Sequence, residues 1–410
     1  MVKGRAVRPW KMASEPGMLN DEAARALPLQ SLGIMETSYL KRHLRRRSCE
    51  IGWYHDLSSL WGREFFYGSK DLWSKPCHSP FPKNPLLDCL PKEVFTLPIK
   101  IADGLDAITE LKKEGIVTIN EARARTQDIR PLKILILNLM PIKKPTEVQL
   151  LRLLGDTPLQ LSVDFARIAS RETTHTDRSY LSQNYLTFDD IKDEKYDGFI
   201  ITGAPVEKMP YEEVEYWPEM MKYFEWADTH VFSTLHFCWA AQAGLYRDYG
   251  VEKRILPRKL FGIYQYGLTM DYHPLLRGFD DRYFIPQSRH TSIDDKKVDE
   301  TPELTVLSRS SENGINIISD QESRRIFVLG HFEYDLRTLE WEYKRDREKG
   351  LPIRLPENYY PYDDPQEKPR FVWCSYAHLF YHNWLNFVYQ ETPYSLDHLM
   401  PFNVHNPLHV

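Results

Sequence analysis

Cysteine is scarce in this chain: five residues in 410, an odd number and widely scattered. That excludes a disulfide framework and fits a reducing compartment. Long apolar runs are missing as well. The longest strand-like run, residues 134–140, is interrupted by Asn138 and falls far short of the roughly 20 residues of a membrane span. The N-terminus lacks the apolar core of a secretory signal. An excess of one charge is missing too. Lys and Arg number 53 and Asp and Glu 58, a net charge of −5. Phosphate binding needs a basic surface, so this balance argues against a dedicated nucleic-acid binder. There is no G-x-G-x-x-G and no P-loop, so dinucleotide or ATP binding through those devices has no support.

What is present is ordinary globular composition, 42% hydrophobic and 27% charged, enough for a sizeable core. Length alone suggests two or three domains. The charge is unevenly spread. Residues 1–96 hold 15 Lys and Arg against 10 Asp and Glu, leaving 38 against 48 for the rest. The same stretch contains Cys49, Cys77 and Cys89, a basic run from Lys41 to Arg47 and a proline-rich piece from Pro76 to Pro91. It shows little periodicity. It reads as a poorly ordered extension with one short helix near residues 21–26. The basic run reads as a solvated patch. Cys77, His78 and Cys89 have no paired C-x-x-C spacing, and no metal site is expected anywhere in the chain. Glu15, Asp21 and Glu22 fit a transit peptide poorly, so a cytoplasmic location is expected.

From about residue 98 strands and helices alternate. Residues 132–140 are apolar apart from Lys133 and Asn138, as in a strand buried on both faces of a parallel sheet. Residues 146–154 have helical spacing, with Leu150, Leu151, Leu153 and Leu154. Strands are expected at 160–168, 197–203 and 230–236, and helices at 216–229 and 239–246. Later strands are expected at 304–307, 315–318 and 325–329. The alternation implies βαβ units and an open α/β sheet with helices on both faces. The site of such a sheet lies outside the carboxyl ends of the strands. Three ends are therefore of interest: Met140-Pro141, Thr202-Gly203 and His236 to Cys238.

Cys238 falls between a strand and a helix. The N-terminal dipole of that helix favours a nucleophilic thiolate, and the N–H after the cysteine can serve an oxyanion. No Gly flanks the turn, as it would in G-x-S-x-G, and a buried structural cysteine is the plain alternative. A second element bears on the choice. The segment from Arg325 to Glu333 reads as a strand ending in His-x-Glu. In extended chain His331 and Glu333 point the same way, so both can face the cleft. Cys238, His331 and Glu333 would then form a nucleophile, a base and its orienting carboxylate.

Several segments together resemble the homoserine O-acyltransferases of the MetA type. They are residues 129–141, Thr202-Gly203-Ala204-Pro205, Tyr216-Trp217-Pro218, Cys238-Trp239-Ala240-Ala241-Gln242-Ala243, Arg277 to Asp281, Pro286-Gln287-Ser288-Arg289, Gly330 to Asp335, and the tail from Asn383 to Tyr394. The resemblance runs from about Pro98 to Pro401 and leaves residues 1–96 uncovered. It implies a class I glutamine-amidotransferase-like α/β sandwich (flavodoxin-like) with a mostly parallel central sheet. The implied division is an extension at 1–96, a catalytic domain at 97–402 and a tail at 403–410. One departure is Phe332, where the family usually has Pro. It points away from the triad if the segment is extended.

The resemblance also implies roles. Cys238 is the acyl-accepting nucleophile, His331 the general base and Glu333 its partner. Lys143 matches an active-site lysine, and Lys259, Ser288 and Arg345 match substrate-binding positions. The substrates are L-homoserine and an acyl-CoA, with no permanently bound cofactor and a homodimer as the assembly. The family associates Glu at the position of Glu207 with acetyl-CoA and Gly with succinyl-CoA. A carboxylate there repels the terminal carboxylate of a succinyl group. The expectation is ping-pong acetyl transfer in methionine biosynthesis. The alternatives are a succinyl-CoA enzyme, a glutaminase using the same triad, and a non-catalytic relative.

Overall fold

The structure is a computed structural model that describes residues 99–101, 104–113, 118–119, 130–171 and 176–402. The expectations for residues 1–96, with Cys49, Cys77 and Cys89, and for the tail 403–410 lie outside the described residues.

Two short strands, β1 (Ile99–Lys100) and β2 (Thr118–Ile119), flank helix α1 (Ala107–Lys113). Strand β3 (Leu132–Leu137) then leads into α2 (Lys143–Gly155), and β4 (Leu161–Ala166) into α3 (Arg178–Asn184) and α4 (Phe188–Ile191). Next come β5 (Tyr196–Ile201), α5 (Trp217–His230), β6 (Val231–Phe237) and α6 (Trp239–Tyr249). The chain then changes character. A long hairpin, β7 (Lys253–Leu268) and β8 (Arg282–Ile293), is followed by α7 (Asp295–Asp299) and by β9 (Leu304–Ser310), β10 (Gly314–Asp320) and β11 (Arg325–Val328). Helices α8 (Thr338–Glu348) and α9 (Cys374–Glu391) close the described chain.

All eleven strands join one sheet in the order β2-β1-β4-β3-β5-β6-β11-β10-β9-β7-β8. From β2 to β11 every pairing is parallel. From β11 through β10, β9 and β7 to β8 every pairing is antiparallel. The sheet is therefore mixed: the parallel part is the larger, and the expected α/β layering holds there. The expected strand and helix positions match within a few residues.

The apolar run of β3 is explained by its two buried faces. Ile134 and Ile136 join the core under α2 and α9, while Leu135 and Leu137 join the core under α5. Helix α9 buries Ala377, Phe380, Tyr381, Trp384, Leu385 and Val388, a 3.6-residue stripe. It seats closely on the sheet because β5 offers Gly198. A Cβ there would fall 2.7 Å from the Trp384 ring.

The hairpin β7–β8 was not foreseen. The middle of the buried face of β8 is polar: Gln287, Arg289 and Thr291 are fully buried between the apolar Tyr283 and Ile285 and the apolar Ile293. The Arg289 guanidinium donates to Gln287 Oε1 at 2.9 Å and to the Thr291 carbonyl at 2.7 Å. Buried polar groups of this kind interrupt the hydrophobic alternation that marks a strand.

Candidate active site

The parallel strands β3, β5 and β6 end together, and their last turns bring Met140, Gly203 and Cys238 to one cleft of about 380 Å³. This is where an open α/β sheet keeps its site. The antiparallel half supplies the opposite wall. Lys259 comes from β7, Ser288 and His290 from β8, and Glu342, Arg345 and Asp346 from α8.

Cys238 is buried and forms the turn between β6 and α6. Its backbone has φ 50° and ψ −111°, a region that costs a non-glycine residue about 1–3 kcal/mol. The strain is held from two sides. The Cys238 N–H donates to the Val328 carbonyl of β11 at 2.8 Å, and its carbonyl accepts from Gln242 N–H at 3.2 Å. The turn thus thrusts the thiol into the cleft without the flanking glycines of the serine-hydrolase elbow. Room for it comes from Gly203 on the neighbouring strand end. A Cβ on Gly203 would lie 3.2 Å from Cys238 Cβ and 3.8 Å from Sγ.

The bond to Val328 also ties this turn to the end of β11. Three residues beyond Val328 stands His331, whose N–H donates to the Pro286 carbonyl of β8 at 2.9 Å. Its Nδ1 is 2.6 Å from Glu333 Oε1, and its other side is within hydrogen-bonding reach of the Cys238 side chain. Tyr334 stacks on the imidazole, with centroids 4.2 Å apart. Burial by itself would push the His331 pKa down. The Glu333 carboxylate and the Cys238 thiolate outweigh it, so His331 sits well above the usual histidine range. His236, two residues before Cys238, is no competitor as base. Burial pushes its pKa down to about 3, and its Nε2 is engaged with Thr234 Oγ1 at 3.0 Å.

The route to the His–Glu pair differs from the expectation. Strand β11 ends at Val328, and His331 to Glu333 form a turn, not extended chain. The turn still lets the imidazole and carboxylate meet. Phe332 points away from them, as expected, into the core, where it stacks on Phe380 at 4.9 Å.

The remaining expected residues fall into two groups. Lys259, Ser288, Arg345 and Glu207 line the cleft. Lys143 does not. It is buried at the start of α2, donates from Nζ to the Asn138 carbonyl at 2.6 Å and lies over the Tyr185 ring. Burial, reinforced by the Arg171 charge, brings its pKa down to about 8.

Glu207 is anchored to the second half of the sheet. Its Oε2 accepts from His290 N–H at 2.8 Å, Thr291 N–H at 3.3 Å and Thr291 Oγ1 at 3.2 Å. The cleft also has a centre that the sequence did not disclose, Glu342. Its Oε2 accepts from Ser288 Oγ at 2.5 Å and Lys259 Nζ at 3.3 Å, and its Oε1 from Tyr334 OH at 2.9 Å. The available signal was helical spacing. Glu342 precedes Arg345 by three residues and shares its face of α8.

A thiol on a strand–helix turn, a His–Glu pair one strand away and a parallel sheet beneath them define a class I glutamine-amidotransferase-like thiol enzyme. Comparison with known proteins narrows the class. The family model described as homoserine O-succinyltransferase matches residues 98–394. A homoserine O-acetyltransferase of Clostridium novyi is 53% identical over 299 residues, 73% of this chain and 99% of its own. Those of Bacteroides fragilis (49% over 302 residues, 73% and 99%) and Lactococcus lactis subsp. cremoris (50% over 299 residues, 73% and 94%) are similarly near. Among solved structures, a glutamine amidotransferase from Thermotoga maritima is 15% identical with a TM-score of 0.42, covering 63% of this chain and 99% of that one; the overlap is too loose to argue from. The chain belongs to the MetA-type homoserine O-acyltransferase family.

Proposed function

We propose that the protein transfers an acetyl group from acetyl-CoA to the hydroxyl of L-homoserine through a thioester on Cys238. The observation that carries the reading is the His331 imidazole held between Cys238 and Glu333 at the cleft floor. The thiolate attacks the CoA thioester, CoA leaves as a thiol, and one thioester replaces another. An alkyl hydroxyl is a poor nucleophile at neutral pH. His331 takes its proton as it attacks the acyl-enzyme, and Glu333 steadies the imidazolium. The oxyanion of each step is assigned to backbone N–H groups, first that of Trp239, which opens α6 and has no partner earlier in its helix.

The acceptor reading rests on the far wall of the cleft. Arg345 offers a guanidinium for the carboxylate of the amino acid. Glu342, already holding Lys259 and Ser288, offers a carboxylate for its ammonium. Lys143 acts through the Asn138 carbonyl, keeping the loop that leads to Met140 in place. The family model is described by a succinyl donor, whereas the relatives compared are named acetyltransferases. Glu207 favours acetyl. Its carboxylate is pinned by three hydrogen bonds and cannot swing away from the terminal carboxylate of a succinyl group. No helix of the described residues is long and apolar enough to cross a membrane. A cytoplasmic enzyme is proposed because a free catalytic thiol needs a reducing compartment. A homodimer is proposed on the family resemblance alone.

Mass spectrometry after incubation with acetyl-CoA alone tests the route. One acetyl adduct on Cys238, discharged by L-homoserine and absent from Cys238→Ala, is expected, with turnover in that variant down at least about a thousandfold. Normal turnover without an adduct would sink the covalent mechanism. Ammonia release from glutamine without CoA would favour a glutaminase instead.

A further inference from the structure

Away from the cleft, α9 carries a second cluster of chemistry-bearing side chains. His378 and His382 are four residues apart, so helical geometry sets them one above the other. Opposite them, Asp156 caps the C-terminus of α2. Its Oδ2 lies 3.2 Å from His378 Nδ1 and 3.9 Å from His382 Nε2. One ligand atom from each residue falls within 4.8 Å of both others. The two imidazoles stand edge to face, with centroids 6.1 Å and planes 67° apart.

Both facing ring nitrogens are shut off from solvent. His378 Nδ1 lies in ion-pair range of the Asp156 carboxylate at 3.2 Å, and His382 Nε2 at 3.9 Å is beyond hydrogen-bond reach of it. A solvent-shielded ring nitrogen short of a hydrogen bond, as at His382 Nε2, is uncommon, and two imidazole nitrogens converging on one carboxylate suit a shared electrophile.

We propose that Asp156, His378 and His382 form a binding site for a divalent transition-metal ion of the zinc class. A tetrahedral ion with bonds of about 2.1 Å spaces its ligands about 3.4 Å apart. The two observed separations, 3.2 and 3.9 Å, bracket that figure. Two imidazoles and one carboxylate suit Zn²⁺, Ni²⁺ or Co²⁺, whereas Mg²⁺ and Ca²⁺ need more oxygen ligands. Asp156 is exposed, so an ion has an entry path and water completes its shell. The ion ties the end of α2 to α9, two helices that share one core against the sheet. The sequence carried the expectation of no metal. The H-x-x-x-H spacing gains meaning only once residues 374–391 are a helix with Asp156 across from it.

Calorimetric titration of the full-length chain with Zn²⁺ tests this. Cys238→Ser is the reference, so that the active-site thiolate takes no part. It is expected to bind one more equivalent of Zn²⁺ than the same chain carrying His378→Ala and His382→Ala. Zn²⁺ should raise the melting temperature of the first and not of the second. Asp156→Asn should weaken that equivalent about tenfold or more. Unchanged stoichiometry and affinity in the double variant would overturn the site. Should the double variant fail to fold, His382→Gln on the more exposed side takes its place, since unchanged Zn²⁺ binding there also overturns the site.

Discussion

At the residue scale the protein rests on a few side chains held in uncommon states. Cys238 accepts a strained backbone so that its sulfur faces both Gly203 and His331. Glu207 is an exposed-loop carboxylate turned into a fixed wall by three donors of β8. Glu207→Gly removes both charge and volume. The ratio of kcat/KM for succinyl-CoA over acetyl-CoA should rise by about tenfold or more, as expected when a charge–charge clash of about 1–3 kcal/mol is relieved. An unchanged ratio would remove Glu207 from donor choice. Lys143 gives a pH prediction. Its pKa is lowered to about 8, so its ammonium is present below that pH and lost above it. The charge-assisted bond to the Asn138 carbonyl weakens with it. kcat/KM should therefore fall as pH rises through about 8. In Lys143→Met this limb should vanish from an activity that is low throughout. For stability the sign is opposite, because the unfolded chain binds more protons between about 8 and the normal lysine range. The cost of burying Lys143 is full below pH 8 and is relieved as pH climbs through that window.

At the scale of elements, the triad depends on how β6, α6 and β11 are locked together. Three buried charges and the half-buried Asp228 do this. Arg247 of α6 pairs with Asp228 at 2.7 Å and with Asp248 at 2.8 Å, and Arg325 at the start of β11 pairs with the same two carboxylates at 2.6 and 3.0 Å. Removing one partner leaves an unmatched charge in the interior. Arg325→Ala should cost about 3–5 kcal/mol in denaturant unfolding. A loss under about 1 kcal/mol would mean the network is solvated. Legibility followed the apolar pattern: β9, β10 and β11 were read as well as β3 to β6. The parallel half was read nearly in full, since strands buried on both faces are continuous apolar runs. Helices α8 and α9 and the hairpin β7–β8 were missed. In β8 the buried Gln287, Arg289 and Thr291 interrupt the apolar alternation of Tyr283, Ile285 and Ile293, so no unbroken strand pattern is left to read.

On the scale of the whole molecule, the curated relatives are nearly as long as the segment they match, about three quarters of this chain. The catalytic body is therefore expected to be self-sufficient. A variant lacking residues 1–96 should keep kcat/KM within a few-fold of the full chain in a coupled CoA-release assay. A collapse of activity with the fold intact would give the leader a catalytic role. The cleft itself is a product of the whole sheet, because its floor is parallel strand ends and its far wall is the antiparallel hairpin with α8.

The sequence by itself determined the layered α/β body and the strand–helix turn that carries Cys238, because apolar periodicity and such a turn are local properties. With the family motifs it also pointed to His331, Glu333 and Glu207 as the proposed base, its partner and the proposed donor-selecting carboxylate. Only the tertiary structure decided which of these meet. It set His331 against Glu333 through a turn in place of a strand, withdrew Lys143 from the cleft, and placed Glu342 at its centre. Those outcomes depend on packing between distant parts of the chain, where burial and hydrogen bonding are settled by partners that no local window contains.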